Sequence, residues 1–217
     1  MKKLLAIAAI LAAFTSLKAE TTFTGAAGFD SAYVFRGVKL ADNSLTLSLD
    51  AEFDGGAYAG MWTNQPITGN IDNEFDFYGG MQFDIAEGIG LDVGGTLYYY
   101  PESGGGSETF EVFAGFGFDT ELSPSIYFYY DLDLEAFTVE GSVGHSIEVD
   151  SQNSFDLAAF IGNVDGKGFS YTYYGASADL VHNLNDSSAA SVGIRVTDGS
   201  SNLSDEIFFG ASVTTGF

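Results

Sequence analysis

Carboxylates are the reactive groups this sequence offers in quantity. Asp50, Glu52, Asp76, Asp84, Asp92, Glu111, Asp131, Asp133 and Glu140, with Glu148 and Asp156 beyond them, stand on the polar side of segments in which polar and apolar residues alternate. Arg36 and Arg195 are rare cations on that same side. Asp and Glu lining a narrow aqueous passage concentrate cations and repel anions. A plainer reading competes with this one: any watery interior is polar, and salt-adapted proteins are acidic throughout. The ensemble favours a cation preference, because few bases are present to neutralise the acids. The two arginines suggest either a local cationic spot that orients a solute or lumen salt bridges, for example Arg36 with Asp50 or Glu52.

Other chemistries find little support. His145 and His182 have no nucleophile arranged around them: the residue two after His145 is Ile147, and Ser146 points to the opposite face. There is no Cys and no phosphate-cradling glycine loop, so neither a catalytic site nor a cofactor is expected. Asp131, Asp133 and Glu135 alternate on one face, yet residues i and i+2 of a strand lie ~6.6 Å apart, too far to share one cation without further ligands. No metal site is expected from them.

The elements that position these residues have a period of two. In 74–85, Phe75, Phe77, Met81, Phe83 and Ile85 oppose Glu74, Asp76, Gln82 and Asp84. In 44–54, Leu45, Leu47, Leu49, Ala51 and Phe53 oppose Thr46, Ser48, Asp50, Glu52 and Asp54. Successive strand residues point to opposite faces, so each segment is a ribbon with one apolar side. Twelve are expected, near 22–38, 44–54, 57–64, 74–86, 89–100, 108–119, 125–133, 137–149, 154–163, 169–181, 188–197 and 206–217. Gly-, Asn-, Asp- and Ser-rich connections separate them, mostly longer on alternate ends.

A soluble β-sandwich also alternates, with its apolar face turned inward. Tyrosines clustered near strand ends (98–100, 127–130, 171–174) and the aromatic terminus Phe217 favour a membrane instead. The expected fold is therefore all-β: a closed antiparallel transmembrane barrel of about twelve strands, with short periplasmic turns and longer external loops. Small inward residues (Gly90, Gly94, Gly115, Gly117, Ser142, Gly144, Ser146) would leave space inside, which Tyr98, Tyr100, Phe113, Tyr127 and Tyr129 would narrow.

Met1-Lys2-Lys3 followed by apolar 4–17 has the form of a secretory signal, with cleavage expected after Ala19. That run is short of the ~20 residues a spanning helix needs. The expected organisation is thus 1–19 signal peptide and 20–217 one barrel domain. Without the leader, four bases (Arg36, Lys39, Lys167, Arg195) face 30 acids. This excludes nucleic acid and anionic headgroups as partners and leaves outer-membrane lipid and small hydrophilic or cationic solutes.

Three segments also carry a resemblance. Ser31-Ala32-Tyr33-Val34-Phe35-Arg36-Gly37-Val38, Ala57-Tyr58-Ala59-Gly60-Met61-Trp62-Thr63-Asn64 and Tyr98-Tyr99-Tyr100-Pro101 resemble, in order, motifs of the TorF family, a bacterial outer-membrane family classed as porins. Ala32 departs from it, standing where the family often has an acid. The resemblance implies a pore-like outer-membrane protein of a Gram-negative bacterium and brings no substrate with it. The leading expectation is a cation-preferring porin that passes small solutes by diffusion. The alternative is a non-conducting structural or adhesive barrel acting through its external loops. Neither the solute nor the oligomeric state is written in this pattern.

Overall fold

The computed structural model describes residues 21–69, 71–103, 106–200 and 203–217. The expected signal peptide lies outside the described residues. Twelve strands form the wall: β1 (Thr21–Phe35), β2 (Val38–Phe53), β3 (Ala57–Pro66), β4 (Glu74–Ala86), β5 (Ile89–Tyr100), β6 (Ser107–Phe118), β7 (Ser125–Asp131), β8 (Ala136–Glu148), β9 (Asn153–Gly166), β10 (Phe169–Asn185), β11 (Ser188–Gly199) and β12 (Glu206–Gly216). Each pairs antiparallel with its neighbours, and β1 pairs with β12, so the sheet closes on itself. The seam runs from Thr24↔Gly216 to Asp30↔Gly210. Phe217 extends it by exchanging backbone hydrogen bonds with Phe23, at 3.2 and 3.0 Å, and the two rings stack.

The alternation sorts the faces as its period requires. Leu45, Leu47 and Leu49, Phe77, Phe155, Ile161, Val192 and Ile194 stand exposed on the outside, with Ile207 at 72 % and Phe209 at 58 %. So continuous an apolar exterior belongs against hydrocarbon rather than water. Around the wall each strand ladders with a neighbour on both sides, which such a setting demands. The carboxylates point inward. A buried apolar cluster of Ala136, Val164 and Tyr173, packed by Phe160, Tyr171 and Leu203, sits inside the barrel rather than between layers.

Both termini of the barrel lie at one end, here the terminal end. The opposite, far end carries the longer connections 67–73, 101–106 and 200–205, together with two-residue turns at 36–37 and 167–168. The difference in loop length between the ends is therefore partial, since 119–124 at the terminal end is also long.

The main departure from expectation is the β1–β2 connection. A loop over 39–43 was expected, but those residues pair with β1, through Val34↔Lys39, Tyr33↔Ala41 and Ala32↔Asp42. The chain reverses instead at Arg36-Gly37, with φ of 48° and 77°. Two central residues at positive φ make the turn whose twist matches a hairpin. Beyond Asp30 the hairpin has no partner in β12, and before Ser44 it has none in β3. Residues 31–43 thus form a two-stranded extension free of the wall on both sides. Its base is bent by Asn43 (φ 41°) and by a bulge at Tyr33/Val34. Isolated bonds tie the extension to the rest of the barrel: Ile67 N donates to Asn43 O at 2.7 Å, Phe209 N to Ser31 Oγ at 3.0 Å and Thr68 Oγ1 to Asp42 O at 3.4 Å, and Lys39 pairs with Glu206 at 3.3 Å.

Candidate functional site

The hairpin extension folds into the lumen. At its tip the Arg36 guanidinium donates two hydrogen bonds to Glu111 of β6, Nη1 to Oε2 at 2.7 Å and Nη2 to Oε1 at 2.8 Å. The fork geometry of guanidinium matches a carboxylate in this bidentate way, and Lys cannot reproduce it. Its central carbon lies 4.5 Å over the Tyr129 ring and 4.8 Å over that of Phe35. Tyr98 donates to the same Glu111 at 3.1 Å. The pair is nearly dry, with side chains 13 % and 3 % exposed. Next to it Gly37 touches Tyr173 of β10 so closely that a Cβ there would sit 2.6 Å from the tyrosine Cβ. Farther back on the hairpin Tyr33 packs on Trp62, with ring centres 5.4 Å apart. A non-Gly residue in the left-handed region costs about 1–2 kcal/mol. At Arg36 the ion pair and the two rings offset that strain.

Of the two expected roles of Arg36, the lumen salt bridge is the one present, but its partner is Glu111 rather than Asp50 or Glu52. Arg195 of β11 makes its own pair with Asp179 of β10, at 2.7 Å. The two arginines do not form a joint cationic spot, because each is matched by a carboxylate. Asp133 is also displaced, since β7 ends at Asp131 and Asp133 sits in the following turn. There its carboxylate accepts from Phe110 N at 3.0 Å, while Asp131 Oδ1 accepts from the amides of Asp133 and Leu134, both at 2.8 Å. These two acids shape the far-end β7–β8 turn.

The remaining acids are matched mainly by tyrosines. Asp92 accepts from Tyr58 at 2.9 Å and from Tyr127 at 3.0 Å. Asp50 accepts from Tyr78, Glu74 from Tyr100 at 2.9 Å, and Glu140 from Tyr173 at 2.7 Å. A phenol donates a hydrogen bond to a carboxylate without bringing a positive charge to it. Asp76 is buried with Oδ1 lacking a protein partner, as are Ser44 Oγ and Asn64 Nδ2. Buried polar atoms of this kind call for water or a solute. Sequence reasoning missed Glu74 and the donor role of the tyrosines. The signal was available, because Tyr58, Tyr78, Tyr98, Tyr100 and Tyr127 share the parity of the acids on paired strands.

Space is divided unevenly. At the terminal end a cavity of about 1140 Å³ is lined by Gly55, Gly56, Gln82, Asp84, Gly88, Gly90, Asp92, Gly117, Asp119 and Tyr127. A second of about 450 Å³, with Asp50, Glu52, Tyr58, Tyr78 and Asp92 in its lining, adjoins it. Toward the far end a space of about 320 Å³ lies among Phe35, Arg36, Tyr98, Tyr129, Glu140, Phe160 and Tyr173. About 250 Å³ lies under the hairpin. Several inward glycines are seats for rings instead of openings: a Cβ on Gly94 would meet Phe113 Cζ at 2.5 Å, and Gly115 and Gly162 lie under Tyr127 and Tyr173. At Gly117 nothing lies within 4 Å. The expectation of open space at small residues thus holds at Gly117 but not at Gly94 or Gly115.

Outside the wall, the β8–β9 turn closes on Asp150. Its carboxylate accepts from Gln152 N at 2.9 Å and from Asn153 N and Nδ2 at 3.0 and 2.8 Å. These bonds hold its pKa below the ordinary aspartate value. Among the described residues no group of three or more His, Cys, Asp or Glu is placed to hold a metal ion.

A closed antiparallel barrel of twelve strands, apolar outside and acidic inside, has the architecture of outer-membrane barrel porins. The KdgM porin shares it at a TM-score of 0.63 and 10 % identity, over 90 % of this chain and 99 % of that one. The NanC porin does so at 0.61 and 13 %, over 89 % and 98 %. The translocator domain of the autotransporter NalP from Neisseria meningitidis follows at 0.57 and 10 %, over 99 % and 94 %. At such identities the likeness is one of fold. A family model described as "Bacterial protein of unknown function (Gcw_chp)" matches residues 16–208, and the chain belongs to that family. No curated protein matches it in sequence.

Proposed function

We propose that this protein is an outer-membrane, porin-like channel through which small hydrophilic solutes diffuse, with a preference for cations. The observation that carries this reading is the lumen, where Asp50, Asp92 and Glu140 face inward and are hydrogen-bonded by tyrosine hydroxyls rather than matched by bases. The apolar exterior supports placement in a bilayer, and the leader over 1–19 supports export to the outer membrane. The resemblance of 31–38, 57–64 and 98–101 to TorF-family motifs points the same way. With the termini in the periplasm, the terminal end is the periplasmic mouth and the far end, where the hairpin is seated, is the external one. One solved structure holds the KdgM porin with disordered oligogalacturonate. That ligand is a polyanion, and an acidic lumen suits the opposite charge.

Solute passage is limited by diameter and charge, with no turnover. The seated hairpin favours a second reading, a closed barrel that acts through its outer surface. Planar-bilayer recordings of refolded protein separate the two. Discrete open levels with a reversal potential favouring K⁺ over Cl⁻ are expected. Electrical silence, persisting in a variant lacking residues 32–42, would sink the channel reading.

A further inference from the structure

The hairpin tip presents a cation to a site built for one. Glu111 offers two parallel acceptors, Tyr98 orients it, and the Tyr129 face lies 4.5 Å from the guanidinium carbon. Such a fork and ring select planar cations that carry two N–H donors on one edge. Neither K⁺ nor a quaternary ammonium can use the fork. Beside the guanidinium lies the cavity of about 320 Å³, reaching Glu140 and Tyr173. The occupant is on a hairpin whose strands, over residues 31–43, ladder only with one another and leave the wall at a bend, held to it by isolated bonds such as the Lys39–Glu206 pair at 3.3 Å. Arg36 also holds a backbone conformation that Gly or Asn would adopt with less strain. That residue choice makes sense if the side chain itself is what the turn must deliver.

We propose that Arg36 is a tethered stand-in for the channel's solute. The cage of Glu111, Tyr98 and Tyr129 is a binding site for guanidinium-bearing solutes, and the β1–β2 hairpin fills and closes it until such a solute displaces the arginine. The proposal rests on the channel reading and adds to it a solute class and a gate.

The test compares refolded wild-type protein with Arg36→Ala, which empties the cage, and Gly37→Val, which leaves the cage intact but prevents seating at φ 77° against Tyr173. The probe is methylguanidinium, with tetramethylammonium and K⁺ as controls. Binding is read from the melting shift of the barrel and from tyrosine fluorescence, neither of which needs conduction. Removing a tethered competitor should tighten methylguanidinium binding by about tenfold or more in both variants. Both should also conduct more than wild type and be blocked by the probe, whereas Arg36→Ala combined with Glu111→Gln should lose the response. Equal binding by wild type and the variants, or an equal response to tetramethylammonium, would overturn the cage. If neither variant folds, the hairpin is only structural and the proposal fails. Selective binding without any conductance would refute the channel reading and leave the cage standing; conductance without selective binding would do the reverse.

Discussion

The two halves of this lumen are built from the same residue types and do opposite things. Toward the terminal end, Gly55 and Gly117 have nothing within 4 Å, and carboxylates look onto about 1140 Å³ of space. Toward the far end, glycines are covered by the rings of Phe113 and Tyr173, and the spaces beside the hairpin are about 320 and 250 Å³. The difference lies in whether a neighbouring strand lays a large side chain, most often an aromatic one, over the glycine. Gly115, opposite Tyr127, is packed, whereas Gly117, opposite Gly90, is a gap. The acids divide similarly. Asp84 and Glu52 look onto the vestibule, whereas Glu111 is consumed by an ion pair 3 % exposed.

The largest way to break this contrast is to remove Glu111. Glu111→Ala leaves Arg36 as a buried charge without its partner, a loss of about 3–5 kcal/mol for such pairs. Residues 31–43 should then lose hydrogen-exchange protection while the wall keeps it. Next is a paired test at neighbouring inward positions of β6. Gly115→Leu drives into the Tyr127 ring and should cost about 1–3 kcal/mol in denaturant melts, whereas Gly117→Leu should be near neutral and lower conductance instead. Similar costs at both sites would erase the boundary drawn between the halves.

A smaller effect is expected for Tyr58→Phe, which removes one of the two phenols on Asp92 and should cost about 1 kcal/mol. The smallest concerns the β8–β9 turn, a control outside both halves. The folded pKa of Asp150 is depressed, so its contribution is present above the unfolded pKa and fades as pH falls through the folded one. Carboxyl titration followed by NMR in micelles should give a midpoint below that of the Asp150 carboxyl in the unfolded chain. A midpoint at or above that reference would mean the turn does not hold the carboxylate.

The barrel was legible because alternation is a property of single strands, and most strand bounds fell within a few residues of those expected from it. The hairpin was not. Lys39–Asn43 has the composition of a loop, and the turn at Arg36-Gly37 lacks the Asn that usually marks such turns, so the reversal was sought too late in the chain. Arg36 was placed with its sequence-near acids Asp50 and Glu52, while its partner Glu111 is set by a fold across the lumen that no local pattern encodes. The small inward residues misled for a related reason: whether a glycine is a gap depends on register with the next strand, and register is what period-two reading leaves open.

The hairpin also says something about the order in which this molecule comes together. The seam joins Thr24 to Gly216, contacts nearly the whole chain apart, and closure over so long a loop comes at the greatest entropic cost. Arg36 and Glu111 are 75 residues apart, yet the tip has a rigid wall to land on only when β5, β6, β7 and β10 already surround it. A seated arginine is therefore a receipt for a finished cylinder. A chain caught before closure shows an unclaimed Glu111 and a loose arm, and the protection of residues 31–43 would time the last step of assembly.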